Sequence, residues 1–324
     1  VLKRYLEYGY FNKTSASLAL IFGAIGEKLN SLMVKAHNTN LEIKGNQSST
    51  FNITAYTGNI HVVKSIANYL NEIKNEAIVV AIIHGSISDN TTNNFSDFDG
   101  VLIYDQNKLK NSKEISDLRK IIRETHLMMF DFDALQHHSW MLVEQNELLN
   151  FNENIFPSVI FEGACFIYPS NYNTITIKKN TNTNPKLPFL NLTRSIEQKL
   201  IAYSNLKYFY CYKNLVSEIL LLPATWHQAF TGKPITKKES FTKSKQLLNS
   251  DKWDIIEFFE SVRLSWNQSS IDKSKEIKAL KYRTLKQYSL NLRNHTPKEF
   301  QMLIDDKVIS SIRELINEMK IRIN

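Results

Sequence analysis

The sequence predicts an α/β (α+β) fold: a small mixed sheet flanked by helices over residues 1–175, followed by an α-helical bundle over 190–324. Three observations carry this expectation. Ala77-Ile-Val-Val-Ala-Ile-Ile83 is a continuous, largely β-branched run of strand length, the signature of a strand buried on both faces. Helical periodicity dominates beyond about residue 190. Between the two, from Ser170 to Pro188, the composition shifts to Asn, Thr, Lys and Pro, as in an interdomain linker or an excursion of the sheet. With 324 residues, 43% of them hydrophobic, the chain can bury a full core and is long enough for two domains.

Taken in order, Leu18, Ile21, Ile25, Leu29 and Leu32 recur at helical spacing within a first helix from Thr14 to Ala36. Its apolar stretch, Ala16 to Ile25, is far shorter than the ~20 residues a membrane helix needs, so no membrane partner is expected. The polar segment His37 to Thr57 reads as an exposed loop or short strands. A helix from Asn59 to Lys74 presents Val62, Ile66, Tyr69, Leu70 and Ile73 on one face. The buried strand over 77–83 then ends at His84-Gly85-Ser86, and the polar loop Ile87 to Asn94 leads to a second strand, Phe95 to Tyr104. A helix from Lys113 to Met129 precedes a third strand ending in His138-Ser-Trp-Met-Leu-Val143. Further helices are predicted over Leu192–Leu222, Lys238–Asn249, Lys252–Ser265, Lys273–Leu290 and Pro297–Ile321.

Chemistry concentrates around the second strand. Residues two apart in a strand point to the same side, so Asp97 and Asp99 present paired carboxylates while Phe98 turns inward. Two such anions repel, and a divalent cation removes the conflict; Mg²⁺ is typically held by one or two carboxylates together with phosphate oxygens and water. Upstream, Gly85 lets backbone amides approach a phosphate, and the Ser86 hydroxyl can add a hydrogen bond.

Gly85-Ser86, followed by Ser96-Asp97-Phe98-Asp99 and the apolar Val101-Leu102-Ile103, resembles the signature of the polymerase-beta-like nucleotidyltransferase superfamily. That superfamily includes aminoglycoside and lincosamide nucleotidyltransferases, antitoxin-type enzymes and cyclic-oligonucleotide synthases. The resemblance covers residues 77–104 and implies that 1–175 is a nucleotidyltransferase domain with N-terminal helices. It also implies Mg²⁺ (or Mn²⁺) held by Asp97 and Asp99, an NTP as substrate, and in-line transfer of a nucleoside monophosphate to a hydroxyl acceptor with release of pyrophosphate. The acceptor is a small molecule, a protein or RNA.

Family members usually carry a third carboxylate on a neighbouring strand, and the middle of the strand after His138 has none. Asp133, two residues after Asp131, is the first candidate; His137 and His138 are the other, since an imidazole can act as base or metal ligand. The region from Tyr203 through Lys237-Lys238-Glu-Ser-Phe is similar to the helical substrate domain of bacterial small-molecule nucleotidyltransferases. That likeness implies triphosphate contacts from Lys213, Lys237 and Lys238, with Trp226, Tyr210 and Tyr212 available to stack on a base; solvated lysines and core aromatics are the competing readings.

The formal charge of +8 favours phosphate-bearing partners, RNA included, although no RNA-recognition motif is present. Two cysteines, Cys165 and Cys211, are too few for a disulfide framework and fit a reducing cytoplasm. Two alternatives stand beside the leading function. One is a cyclic-oligonucleotide or RNA-end nucleotide synthase; the other is a catalytically inactive nucleotide- or RNA-binding regulator, with the missing third acid as its feature.

Overall fold

The structure, a computed structural model, describes residues 2, 3, 6, 47–169, 172–180, 183–202, 206–282 and 285–323. The helix expected over Thr14–Ala36 lies outside them. The elements in chain order are β1 (Gln47–Asn52), β2 (Thr54–Ala55), α1 (His61–Ile73), β3 (Ile78–Ile83), β4 (Gly100–Tyr104), α2 (Ser112–Met129), β5 (Met141–Glu144), β6 (Cys165–Tyr168) and β7 (Thr174–Lys179). Helices follow: α3 (Leu187–Ile201), α4 (Phe209–Ile219), α5 (Leu222–Thr231), α6 (Lys237–Leu248), α7 (Asp254–Leu264), α8 (Lys273–Lys281), α9 (Lys286–Asn291), α10 (Lys298–Gln301) and α11 (Asp306–Ile323).

Mixed α and β structure with a small mixed sheet is therefore what the chain forms. Five strands run in the order β2-β6-β3-β4-β5. Within this sheet β3 is antiparallel to β4 and β6, whereas the β4–β5 and β2–β6 pairs are parallel. β1 and β7 form a separate antiparallel pair. The apolar run of β3 makes physical sense because both of its faces are covered. Ala81 and Ile83 join Leu102 and Leu142 beneath α1 and α2, against Val63, Ile66, Leu118 and Ile122. Val80 and Ile82, with Val101, Ile103 and Val143, face the opposite way onto Phe151, Phe161, Ile175 and Ile177. At ~1.5–3 kcal/mol for each fully buried aliphatic side chain, this central strand anchors both layers. α2 is started by a capping box: the Asn111 side chain accepts from Lys113 and Glu114 amides, and Glu114 accepts from the Asn111 amide.

The structure departs from the sequence-based boundaries where side chains take over backbone hydrogen bonds. The second strand starts at Gly100 and not at Phe95. Ahead of it, the Phe98 amide donates to Gln136 Oε1 and the Phe98 carbonyl accepts from Gln136 Nε2, both at 3.0 Å, so a glutamine replaces a neighbouring strand. The helix expected over Leu192–Leu222 is divided into α3 and α4, because Tyr208 is extended and bridges His295 while the Phe209 amide donates to the Asn294 carbonyl. The helices expected over Lys273–Leu290 and Pro297–Ile321 are likewise each divided in two. α5, begun by Leu222-Pro223 and closed by Gly232 at φ 74°, is an additional helix. In the Ser170–Pro188 segment the chain forms β7, which pairs with β1 and not with the five-stranded sheet.

The helical half packs around Phe209, Leu215, Trp226, Phe259, Trp266 and Leu315, and this core also takes in Phe95 and Leu135 from the sheet-bearing half. Phe95 meets Trp266 edge-on at 4.9 Å. Among the described residues no helix is long and apolar enough to cross a membrane.

Candidate functional site

The site forms where the end of β3, the approach to β4 and the segment after α2 converge. β3 runs out at His84, whose amide donates to the Asp99 carbonyl at 3.1 Å. Gly85 then adopts φ 66°, a conformation glycine reaches without the strain a Cβ imposes. The turn closes on itself: the Asp89 amide donates to the Gly85 carbonyl at 3.0 Å and the Thr91 amide to the Ser86 carbonyl at 2.9 Å. It also lies directly against the acids, since a Cβ at Gly85 would stand 3.3 Å from Asp99 Oδ2.

Gln136, by holding the Phe98 backbone, drives the Phe98 ring into the core beside Trp140 and Phe132 at 5.8 and 6.3 Å. Asp97 and Asp99 consequently emerge together, although ahead of the strand and not within it. Gln136 also accepts no freedom downstream: its Nε2 donates to the His138 carbonyl at 2.9 Å, which fixes the two histidines opposite the two acids. His138 Nε2 is 3.2 Å from Asp99 Oδ1, and His137 Nδ1 is 3.6 Å from Asp97 Oδ1.

Electrostatics separate these groups. Burial pushes His137 down to about 4 against the pull of Asp97, so it is neutral at pH 7. Burial works on His138 in the same direction, but its hydrogen bond to Asp99 and the Asp99 and Asp97 charges push it up to about 9. Burial alone would raise both Asp97 and Asp99. Lys213 and the two histidines hold Asp97 far below the ordinary carboxylate value, and His138 with His84 holds Asp99 below it. His84 itself is pushed down by burial, with Asp99 opposing.

Lys213 is placed differently from the triphosphate contact expected of it. It is fully buried on α4, with Nζ 2.6 Å from Asp97 Oδ1 and 2.7 Å from Asp133 Oδ2. Lys213 is thus the close partner of Asp97 Oδ1 as well as of Asp133. Asp133, also fully buried, is committed to this lysine. Its Oδ1 further accepts from the Leu135 amide and from Gln268 Nε2, both at 3.0 Å. Burial lifts Asp133 to about 6, with Lys213 opposing. Asp133 therefore supports the site from behind through Lys213, while His137 and His138 flank the acids directly. Asp131 is paired with Lys273 at the surface.

Lys237, half-buried at the start of α6, is held at about 8 by burial and by the nearby Arg263 charge, with Asp97 and Asp99 pulling it the other way. Lys238 is exposed. Trp226 and Tyr212 are core residues: Trp226 Nε1 donates to the Met319 carbonyl at 3.0 Å, and Tyr212 lies 6.1 Å from Trp266 in a stacked arrangement. Tyr210 donates to the His137 carbonyl at 3.3 Å and lies under the Arg293 guanidinium. The sequence reading missed His84, Gln136, Arg263 and Gln268. His84 adjoins the glycine turn and Gln136 the histidine pair, so proximity to the motif was a usable signal for these two. Nothing local marks Arg263 or Gln268.

No protein-family model, no curated protein and no solved structure matches this chain.

Proposed function

We propose that the chain is a metal-dependent nucleotidyltransferase that moves a nucleoside monophosphate from an NTP to a hydroxyl acceptor and releases pyrophosphate. The observation that carries this reading is the Asp99 carboxylate against a positive-φ Gly85 turn, its Oδ2 3.3 Å from where a Gly85 Cβ would stand, with the Asp97 carboxylate near enough to act on the Asp99 charge. A phosphate chain on that turn lies next to the acids.

The residues fit a divalent cation. Asp97 Oδ1 and His137 Nδ1 are buried and face each other at 3.6 Å with no hydrogen bond between them, a gap suited to a cation, and the other near neighbour of Asp97 Oδ1 is Lys213 Nζ at 2.6 Å. Asp97, Asp99 and one or both histidines would hold it. When bound, the cation lowers the pKa of an acceptor hydroxyl and neutralises the developing charge on the phosphates. The chain's own contribution is placement. The Gly85-Ser86 turn offers backbone amides to a phosphate. Lys237 and Arg263 are near enough to act on each other's charge, Lys237 is also near enough to feel Asp97 and Asp99, and together the two cations would supply attraction for a polyphosphate.

The test is pyrophosphate release from each of the four NTPs with Mg²⁺ or Mn²⁺, in the wild type and in Asp97→Asn and Asp99→Asn. Turnover that either substitution cuts roughly a hundredfold or more supports the reading, several kcal/mol being the scale of metal-assisted charge stabilisation. Equal turnover in the variants ends it. One observation favours the competing regulator: Asp133, the nearest additional carboxylate, is occupied by Lys213 and Gln268. NTP binding without pyrophosphate release from any acceptor mixture selects that reading.

A further inference from the structure

We infer that Asp97, His137 and His138 form a binding site for a first-row transition dication such as Co²⁺, Zn²⁺ or Mn²⁺, and prefer it to Mg²⁺. The inference deepens the proposed function by assigning the metal class at the same acids, and rests on that reading for Asp97 facing a cation. Donor chemistry carries it. Mg²⁺ takes oxygen ligands and retains several waters, whereas imidazole nitrogen suits transition ions. A pair of Asp residues alone would be indifferent to this distinction; two histidines are not.

Geometry supports the set. One ligand atom from each of Asp97, His137 and His138 lies within 4.8 Å of the others. Three donors each about 2.1 Å from a shared tetrahedral ion lie roughly 3.4 Å apart, so side-chain adjustments of about an ångström close the site. The histidines are presented in a manner suited to ligation. Nδ1 of His138 is 3.3 Å from the Ser139 carbonyl, an acceptor only, which places a proton on Nδ1 and leaves Nε2 directed at the acids. Such outer hydrogen bonds orient and tune metal-binding imidazoles. His137 Nδ1 makes no hydrogen bond and faces Asp97 Oδ1 at 3.6 Å.

The test uses the full chain without a polyhistidine tag, freed of metal by chelation, and titrates Co²⁺, Zn²⁺, Mn²⁺ and Mg²⁺ separately by calorimetry with no nucleotide present. The expected result is one Co²⁺ or Zn²⁺ per chain, bound at least tenfold more tightly than Mg²⁺, with a Co²⁺ absorption spectrum characteristic of mixed nitrogen and oxygen ligation. His137→Ala and His138→Gln should each weaken Co²⁺ at least tenfold and weaken Mg²⁺ far less. Circular dichroism identifies a variant that has not folded, and the other then decides. Mg²⁺ binding as tight as Co²⁺, or Co²⁺ affinity unchanged in a folded histidine variant, overturns the inference. Pyrophosphate release, measured separately, bears on nucleotidyl transfer and leaves the metal preference to the titrations.

Discussion

Lys213 shows how far a single buried charge can reorganise a site. An ammonium with no solvent exposure persists because two carboxylates surround it, and they raise its pKa against the effect of burial. Removing one member of a buried ion pair typically costs ~3–5 kcal/mol, because the partners are left charged and desolvated. Lys213→Met should lower the urea midpoint accordingly, and adding Asp133→Asn should recover part of the loss by removing one stranded carboxylate. A double variant less stable than Lys213→Met alone would contradict the coupling. The same lysine changes the expectation for Asp97→Asn. Two adjacent acids considered alone suggest that neutralising one relieves repulsion, but the fold holds the ionised form of Asp97 in a favourable field. Asp97→Asn should therefore destabilise modestly.

Lys237 yields a pH prediction at the same scale. Its value of about 8 leaves it mostly charged at pH 7 and mostly neutral by pH 9. Attraction for a polyphosphate is present below that value and lost as pH rises through it. Affinity for inorganic triphosphate should thus fall between pH 7 and 9, and Lys237→Met should bind weakly throughout with a flattened profile. A wild-type profile without this fall would remove Lys237 from the proposed phosphate site.

At the scale of elements, the two glycines that frame the acids do different work. Gly85 needs its positive φ, where a side chain costs roughly 1–2 kcal/mol, and an added methyl would also press on Asp99 Oδ2. Gly100, at the start of β4, has no such backbone demand, but a Cβ there would meet the Trp140 ring at 2.5 Å. Overpacking of that kind costs typically 1–3 kcal/mol. Both alanine variants should lose stability in urea titrations. Gly85→Ala should lose metal affinity out of proportion to its stability, because its methyl acts on a carboxylate, whereas Gly100→Ala should act mainly through packing. Equal effects of the two on metal binding would show that the Gly85 turn does not register against Asp99.

Across the whole molecule, the acids belong to the sheet-bearing half and Lys213 to the helical half, while Phe95 and Leu135 sit in the helical core. Phe95 also lies under the Lys213 ammonium, 5.2 Å from its ring centre. These shared contacts predict that the described halves unfold together, as a single calorimetric transition. Phe95→Ala, a buried aromatic truncation worth ~3–5 kcal/mol, should lower that transition or split it. Two well-separated transitions in the wild type would mean that the shared contacts are too weak to couple the halves.

The elements that were legible in the sequence are those whose information is local. The β-branched run of β3 states its own double burial, the positive-φ turn requires Gly85, and the period of two sets Asp97 and Asp99 apart from Phe98 even where no strand forms. Most of the α1 face follows from periodicity in the same way, Val62, Ile66 and Leu70 being buried, whereas Ile73 in the last turn is exposed. Which groups complete the site was decided by tertiary structure. Lys213 lies 80 positions from Asp133, and Gln268 lies 135 positions from it, so no spacing rule connects them. The division between α3 and α4 depends on Tyr208 pairing with His295, a strand-like contact between distant segments. Asp133 and His138 are both plausible third groups by residue type; burial against Lys213 occupies the first, and the Gln136 clamp turns the second toward Asp99. Local sequence determines backbone preference and which face of an element is apolar, whereas charge pairing and desolvation depend on which elements meet, and only the packed fold determines that.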